Sequence, residues 1–311
     1  MKLRNLRKYY LPSKGDFCYL DFKLEEIKQR QKMKIKENIH LLKIDFNIQL
    51  SPEKVLPRFV NVLLIFGEKI TLVDTGVKGS EEKIFGYIAE NSRSYSEIDK
   101  IILSHSHPDH IGSAARIKEL TGCKILAHTA EKTWIENISI QEKERPVPGF
   151  TNLVDRSVTI DEFIEDGQIL NFGNGQTAKI IHAPGHSAGS VNLFFQDEKV
   201  LFTADSIPLK GDIPNYDNAR QLLDSLNTIE NNSGYEMLLS SWTPAFSDAI
   251  EIKKLIAEGR SWIEMIDTAV KANYLGVETV PLDFCRAIVN QLGLPPFLVN
   301  PIVDHSFRSH I

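Results

Sequence analysis

Cysteine is scarce in this chain of 311 residues, with Cys18, Cys123 and Cys285 far apart and no CxxC pair. Odd number and wide spacing exclude a disulfide framework and a structural zinc knuckle, and the thiols are expected to be reduced and buried. Long apolar runs are also missing. Nothing approaches the roughly 20 residues needed to cross a bilayer, so no membrane span is expected. The first eight residues, Met1 to Lys8, are charged and lack the apolar centre of a secretory signal, which makes a cytoplasmic location the expectation. An excess of positive charge is absent overall. The formal charge is −5, so no specific nucleic-acid partner is expected.

The charge is nevertheless uneven. Residues 1–36 carry eleven Lys or Arg against four Asp or Glu. They read as a basic N-terminal extension with a helix over Asp21 to Lys36, able to touch phosphate, a membrane surface or an acidic partner subunit. Strand patterns come next at Ile39–Ile44, Phe46–Ile48, Phe59–Phe66 and Ile70–Val73, with Ser51 to Arg58 as a proline-bearing connector. A helix is expected over Ser80–Ala89, a strand over Lys100–Leu103, a helix over Ile111–Leu120 and a strand over Cys123–Ala127. Residues 130–157 are mixed and polar, and read as an insertion or lid. Further strands are expected at Thr159–Ile160, Gln168–Leu170, Ala178–Ile181, Val191–Phe195 and Val200–Thr203. Helical spacing then dominates at Asp217–Glu230, Asp248–Asn273 and Pro281–Leu292. The interleaving favours one α/β domain over residues 37–246, with a C-terminal helical extension over 247–311 packed on it. The basic arm and the proline-bounded tail are the segments that would support a homodimer.

The richest line is Ser104-His105-Ser106-His107-Pro108-Asp109-His110, directly behind an apolar strand. Three of the nine histidines fall within six residues. Two residues apart on extended backbone, His105 and His107 project to the same side. Imidazoles with a carboxylate suit zinc, iron or manganese better than calcium or magnesium. Two later strands also end in metal-capable side chains, at Pro184-Gly185-His186-Ser187 and at Ala204-Asp205-Ser206.

Together with Val73-Asp74-Thr75-Gly76, these ordered motifs resemble the metallo-β-lactamase superfamily from about Ile39 to Pro244, in the broad group around hydroxyacylglutathione hydrolases and lactonases. The resemblance implies a four-layer αββα sandwich with metals in a cleft at the sheet edge. It further implies a first metal held by His105, His107 and His186, a second held by Asp109 and His110, and Asp205 between them. Asp74 and Ser187 would orient the ligands behind the metal. Where relatives usually show another histidine, this chain reads Ser240-Ser241-Trp242, so one or two zinc ions, or iron or manganese, remain open. His305 and His310 are the candidate replacement ligands.

The implied activity is hydrolysis of a small-molecule ester, thioester, lactone or amide by a metal-bound hydroxide, with Asp109 as the catalytic proton carrier. Two other readings stay open. A mono-iron oxidoreductase of persulfide dioxygenase type would use His105, His186 and Asp205, and a non-catalytic binding protein could keep the same fold. Flavodiiron oxidoreductases resemble the cluster but carry glutamate in place of His107, which counts against them. His128, His182 and His40 are expected to be structural. Trp134, Phe150, Tyr216 and Trp242 are candidates for the cleft wall.

Overall fold

The computed structural model describes residues 32–51, 53–232, 234–274, 276 and 280–311. The basic arm up to residue 31, and Cys18 with it, lie outside the described residues. The helix expected to reach Lys36 does not do so: Lys32–Lys34 is a short strand, β1, paired antiparallel to the next one. Alternating apolar residues then build two long strands, β2 (Ile39–Ser51) and β3 (Lys54–Phe66), paired antiparallel to each other. The expected connector over Ser51 to Arg58 is therefore mostly strand. Pro57 is accommodated opposite Asn47 because β4 (Ile70–Val73) pairs only with Leu63–Phe66. Pro57 thus has a strand neighbour on one side, where a missing N–H is tolerated.

Beyond β4 and helix α1 (Glu81–Glu90), the sheet turns parallel through β5 (Ile98–Leu103), β6 (Lys124–His128) and β7 (Glu162–Ile164). The resulting seven strands run in chain order. Short helices α2 (Pro108–Ile111) and α3 (Ala114–Thr121) connect β5 to β6, and α4 (Lys132–Glu136), α5 (Ile138–Glu144) and α6 (Phe150–Leu153) precede β7. A second sheet of five strands has the order β12-β11-β10-β9-β8, built from β8 (Ile169–Asn171), β9 (Thr177–His182), β10 (Val191–Phe195), β11 (Val200–Phe202) and β12 (Met237–Leu239). Helix α7 (Ala219–Asn231) lies between β11 and β12 in the chain. Helices α8 (Ala249–Asn273), α9 (Asp283–Gln291) and α10 (Pro301–Arg308) complete it. The last was not expected; Asn300 caps it, accepting from the N–H groups of Ile302 and Val303.

Alternation along the strands separates the layers. Leu41, Leu63, Val73, Ile102 and Leu126 of the first sheet meet Ile180, Leu193, Phe202 and Leu239 of the second in one buried cluster. The neighbouring residues Leu42, Leu64, Leu72 and Ile101 face the other way, onto Ile84, Ile88 and Ile117. The outer face of the second sheet, with Phe194, Leu201 and Leu238, is covered by Leu226, Ile229, Ile252 and Ile256. This is an αββα sandwich, the layered arrangement that lets both faces of each sheet bury apolar surface. Trp262, Ile266, Phe284, Ile288 and Phe307 knit the last helices together. Residues 130–157 differ from the lid expected of them: Ile135, Phe150 and Leu153 belong to the core cluster under the first sheet, and the expected strand at Thr159–Ile160 begins at Glu162 instead. Among the described residues, no helix is long and apolar enough to cross a membrane.

Candidate metal centre

Strands β4, β5, β9, β11 and β12 all end at one edge of the sandwich, and the loops leaving them carry the polar residues of the site. Two of those loops enter through strained backbone. Asp74, just after β4, has φ 64°, and Ala204, just before Asp205, has φ 45°. Such positive angles are costly for residues with a Cβ and persist where surrounding contacts hold them. At Asp74 those contacts are visible. One carboxylate oxygen accepts from the Ser104 N–H at 2.8 Å, and the other accepts from the Ser104 hydroxyl at 2.7 Å and from His110 Nδ1 at 2.8 Å. Asp74 therefore braces the loop after β5 and sets the ring of His110.

The same network orients His105. The Ser104 hydroxyl gives its hydrogen to Asp74, so its oxygen accepts from His105 Nδ1 at 3.0 Å, and Nε2 is left with a lone pair. That Nε2 lies 3.0 Å from His107 Nδ1, which lies 2.8 Å from His186 Nε2. His186 comes from the connection between β9 and β10, where Gly185 has φ 125° and passes so close to α7 that a Cβ there would meet the Leu222 nitrogen at 2.2 Å. Only glycine lets this turn press against the helix.

Atoms of His105, His107, His186 and Asp205 all fall within 4.8 Å of one another, and all four residues are buried. Asp205 Oδ2 is 3.3 Å from His186 Nε2 and 3.9 Å from His105 Nε2, while Oδ1 is 3.4 Å from His110 Nε2. Asp109 Oδ2 lies 3.6 Å from the same His110 Nε2. Burial holds His105 and His107 well below the usual imidazole range and His186 at about 4, so these three rings are neutral near pH 7. His110 behaves oppositely. Burial would depress it, but the carboxylates of Asp205, Asp74 and Asp109 together lift it well above the usual range. Asp205 is held low, against the effect of burial, by His110, His186 and His105, whereas burial raises Asp109.

Converging neutral nitrogens, beside a carboxylate that stays ionised, form a donor set for a divalent cation. Nε2 of His110 and Oδ1 of Asp205 are buried and make no hydrogen bond, and the same holds for Nε2 of His107. Orphaned buried polar atoms of this kind are costly unless a further group meets them. The donor set fits zinc, iron or manganese.

Three further residues complete the site: Glu131 and Arg145, which carried no signal in the sequence, and Trp242, which the sequence marked only as a cleft-wall candidate at the place of a missing histidine. Glu131 is buried between the loops after β5 and β9, and its carboxylate accepts from the Ser106 N–H at 3.0 Å, from the Ser106 and Ser187 hydroxyls, and from the Gly189 N–H. It ties together the two loops that present His105, His107 and His186. Trp242 stands where another histidine would be expected, and its indole N–H donates to Asp205 Oδ2 at 2.7 Å. Arg145, at the end of α5, is the third; it borders the cavity over the histidines. The segment Gly185-His186-Ser187-Ala188-Gly189 also spells the Gly-x-Ser-x-Gly of serine hydrolases. It joins two strands instead of a strand and a helix, and the Ser187 hydroxyl is buried on Glu131, so it does not form a nucleophile elbow.

The other expected residues lie elsewhere. His310 is hydrogen-bonded to the Tyr216 hydroxyl at 2.8 Å and faces Asp267, and His305 Nε2 is 3.5 Å from Asp217; neither contributes an atom to the histidine group. His128 and His182 stack on each other with ring centres 4.2 Å apart, and His40 bonds the Tyr87 hydroxyl. A cavity of about 270 Å³ opens over the group, lined by Asp109, His186 and Asp205 at its floor and by Tyr216 and Trp242. Trp134 and Phe150 are not part of its wall.

The sequence pattern of the Metallo-beta-lactamase superfamily matches residues 55–255, and the chain belongs to that superfamily. It is 31% identical over 121 residues to a hydroxyacylglutathione hydrolase of Hyphomonas neptunium, covering 39% of this chain and 38% of that one. It is 32% identical over 151 residues to a flavo-diiron protein of Clostridium acetobutylicum, covering 47% of this chain and 33% of the other. The chain thus matches only 33–38% of the length of these relatives. Among solved structures, a metallo-beta-lactamase family protein from Thermus thermophilus superposes with a TM-score of 0.67 at 17% identity, covering 89% of this chain and 93% of its own, a likeness of fold.

Proposed function

We propose that the protein is a metal-dependent hydrolase acting on an ester, thioester, lactone or amide bond of a small molecule. The observation that carries this reading is the convergence of His105 Nε2, His107 Nδ1 and His186 Nε2 on Asp205 at the floor of an apolar cavity. His105, His107 and His186 would hold one divalent ion, Asp109 and His110 a second, and Asp205 would serve both. Bound there, a divalent ion makes water acidic enough to act as a nucleophile near neutral pH and stabilises charge on a carbonyl oxygen. The rest of the work falls to the chain. Asp74 and Ser104 fix the ring orientations, Glu131 keeps the two ligand loops in register, and the cavity offers a mainly apolar wall to the substrate. Asp109 lines the cavity beside His186 and Asp205, and there its carboxylate would take a proton from the nucleophile and deliver it to the leaving group.

A second reading, a mono-iron oxidoreductase, is favoured by Trp242. Its N–H occupies an oxygen of Asp205 at the position where a further ligand was expected, which leaves the side of Asp109 and His110 with fewer donors. Metal analysis of protein purified without chelator, then assay on acyl esters, thioesters, lactones and amides, separates the two. Zinc or manganese with turnover of an acyl substrate supports hydrolysis. One iron per chain, with oxygen consumed on a persulfide and no acyl turnover, overturns it.

A further inference from the structure

Two arginines border the cavity, and only one of them is paired. Arg58 donates from Nη1 and Nη2 to the two oxygens of Asp212, both at 2.9 Å, and its guanidinium stacks 4.4 Å over the Trp242 ring. Its charge is already answered. Arg145 is 7% exposed and lines the same cavity, yet its guanidinium makes no hydrogen bond or ion pair with any described residue. Its nitrogens are also not among the fully enclosed polar atoms that lack partners, which leaves the cavity as the space they face.

The acids around Arg145 act on it only through space, and each is engaged elsewhere. Asp217 faces His305, Asp109 faces His110, Asp205 takes the indole N–H of Trp242, and Glu131 is saturated by the loops it joins. Arginine remains charged in proteins, and a buried charge without a partner is strongly unfavourable. A rigid fork of N–H donors at the wall of an otherwise apolar pocket is the complement of a carboxylate, which it can bind in two parallel hydrogen bonds. A single guanidinium matches a monoanion better than a phosphate dianion, and no second unpaired cation lines the cavity among the described residues.

We propose that Arg145 anchors a carboxylate on the substrate, and that the substrate is an acyl ester or amide with an apolar tail and its carboxylate beside the scissile bond. Arg145 lines the cavity together with Asp109, His186 and Asp205, and α5 just before it is tied to the histidine loop by Gln141, whose side-chain amide donates to the Ser106 carbonyl at 2.5 Å. Phe46, Leu56, Ile207, Trp262, Phe297 and Val303 supply the apolar wall along which the tail lies. This specificity rests on the hydrolase reading, but it is tested by binding alone.

The test uses the full chain with its metal, octanoate as probe and octanamide as the neutral control, with dissociation constants from calorimetry and metal content measured on each sample. Octanoate is expected to bind the wild type at least tenfold more tightly than octanamide. Arg145→Met should weaken octanoate by roughly tenfold or more, the value of a charge-assisted hydrogen-bonded pair, and leave octanamide unchanged. Arg145→Lys should retain part of the affinity. Equal octanoate affinity in the wild type and Arg145→Met, equal affinity of octanoate and octanamide, or no octanoate binding to metal-loaded protein would each overturn the proposal. Loss of both probes together in Arg145→Met would also overturn it, by assigning Arg145 to packing. Failure of the hydrolase reading looks different: Arg145-dependent octanoate binding would persist while acyl turnover was absent.

Discussion

The floor and the wall of the cavity are built by different forces. The floor consists of a few polar side chains at strand ends, each fixed by directional bonds: Asp74 to Ser104 and His110, Ser104 to His105, Glu131 to both ligand loops. The wall comes from segments far apart in the chain, among them Phe46 and Leu56 of the first hairpin, Ile207, Trp262 of α8, and Phe297 and Val303 near the C-terminus. Its side chains are held by apolar area, not by partners. The contrast teaches where each property of the protein resides. Chemistry depends on the floor, where one lost atom breaks a network, and selectivity depends on the wall, where contacts are many and individually small.

The sharpest way to break this contrast is at the floor. His105→Ala should reduce bound metal and acyl turnover by about a hundredfold or more while the fold remains, measured by metal analysis and steady-state rates. Near-normal turnover would remove His105 from the floor altogether. At the wall, Trp262→Ala should cost about 3–5 kcal/mol of stability by urea denaturation and shift acyl-length preference, with metal content unchanged. A loss of metal in that variant would mean that floor and wall are not separate. Glu131→Gln tests whether the loops depend on the buried carboxylate. A drop of about 1–3 kcal/mol, with weaker metal retention, is expected from donors left unsatisfied. Trp242→His probes the side with fewer donors: equilibrium dialysis should show added affinity for a second metal equivalent, whereas an unchanged stoichiometry would show that Trp242 does not limit that side.

The smallest effect belongs to His305, which is not part of the cavity lining. Its hydrogen bond to Asp217 raises its pKa above 6.5 in the folded state. The stabilisation is therefore fully present below pH 6.5 and fades as pH rises through the raised value. The side chain is largely exposed, so the effect is small. Wild type and His305→Gln should differ in urea midpoint at pH 5.5 and converge by pH 8.5; a constant difference would remove the pair from the account.

Much of the floor was legible because its residues cluster in the chain. His105, His107, Asp109 and His110 share one loop, and backbone alternation alone puts His105 and His107 on one side. Asp74 was legible as the end of a strand. Glu131 was not, since its role arises from two loops that meet only after both sheets are assembled. Trp242 shows the same limit. The chain reveals that a histidine is missing there, but only the folded loop, held by Asn61 through the Ser240 and Thr243 carbonyls, reveals that an indole N–H is aimed at Asp205. Residues 130–157 look polar and lid-like in sequence because their few apolar side chains, Ile135, Phe150 and Leu153, are spread among charged ones. Burial of those few is enough to make the segment core.

By itself the sequence determined an α/β domain, through the apolar patterns of its strands and helices, and the identity of most metal-capable residues, through local spacing; the αββα layering was what the resemblance of its motifs implied. Tertiary structure decided the rest: which nitrogen of each ring faces inward, that Glu131 joins the ligand loops, that Arg58 is paired and Arg145 is not, and that the C-terminal helices close the cavity. The physical reason is range. Periodicity and short motifs are properties of neighbouring residues, whereas hydrogen-bond satisfaction and the pairing of buried charge depend on groups brought together from distant parts of the chain.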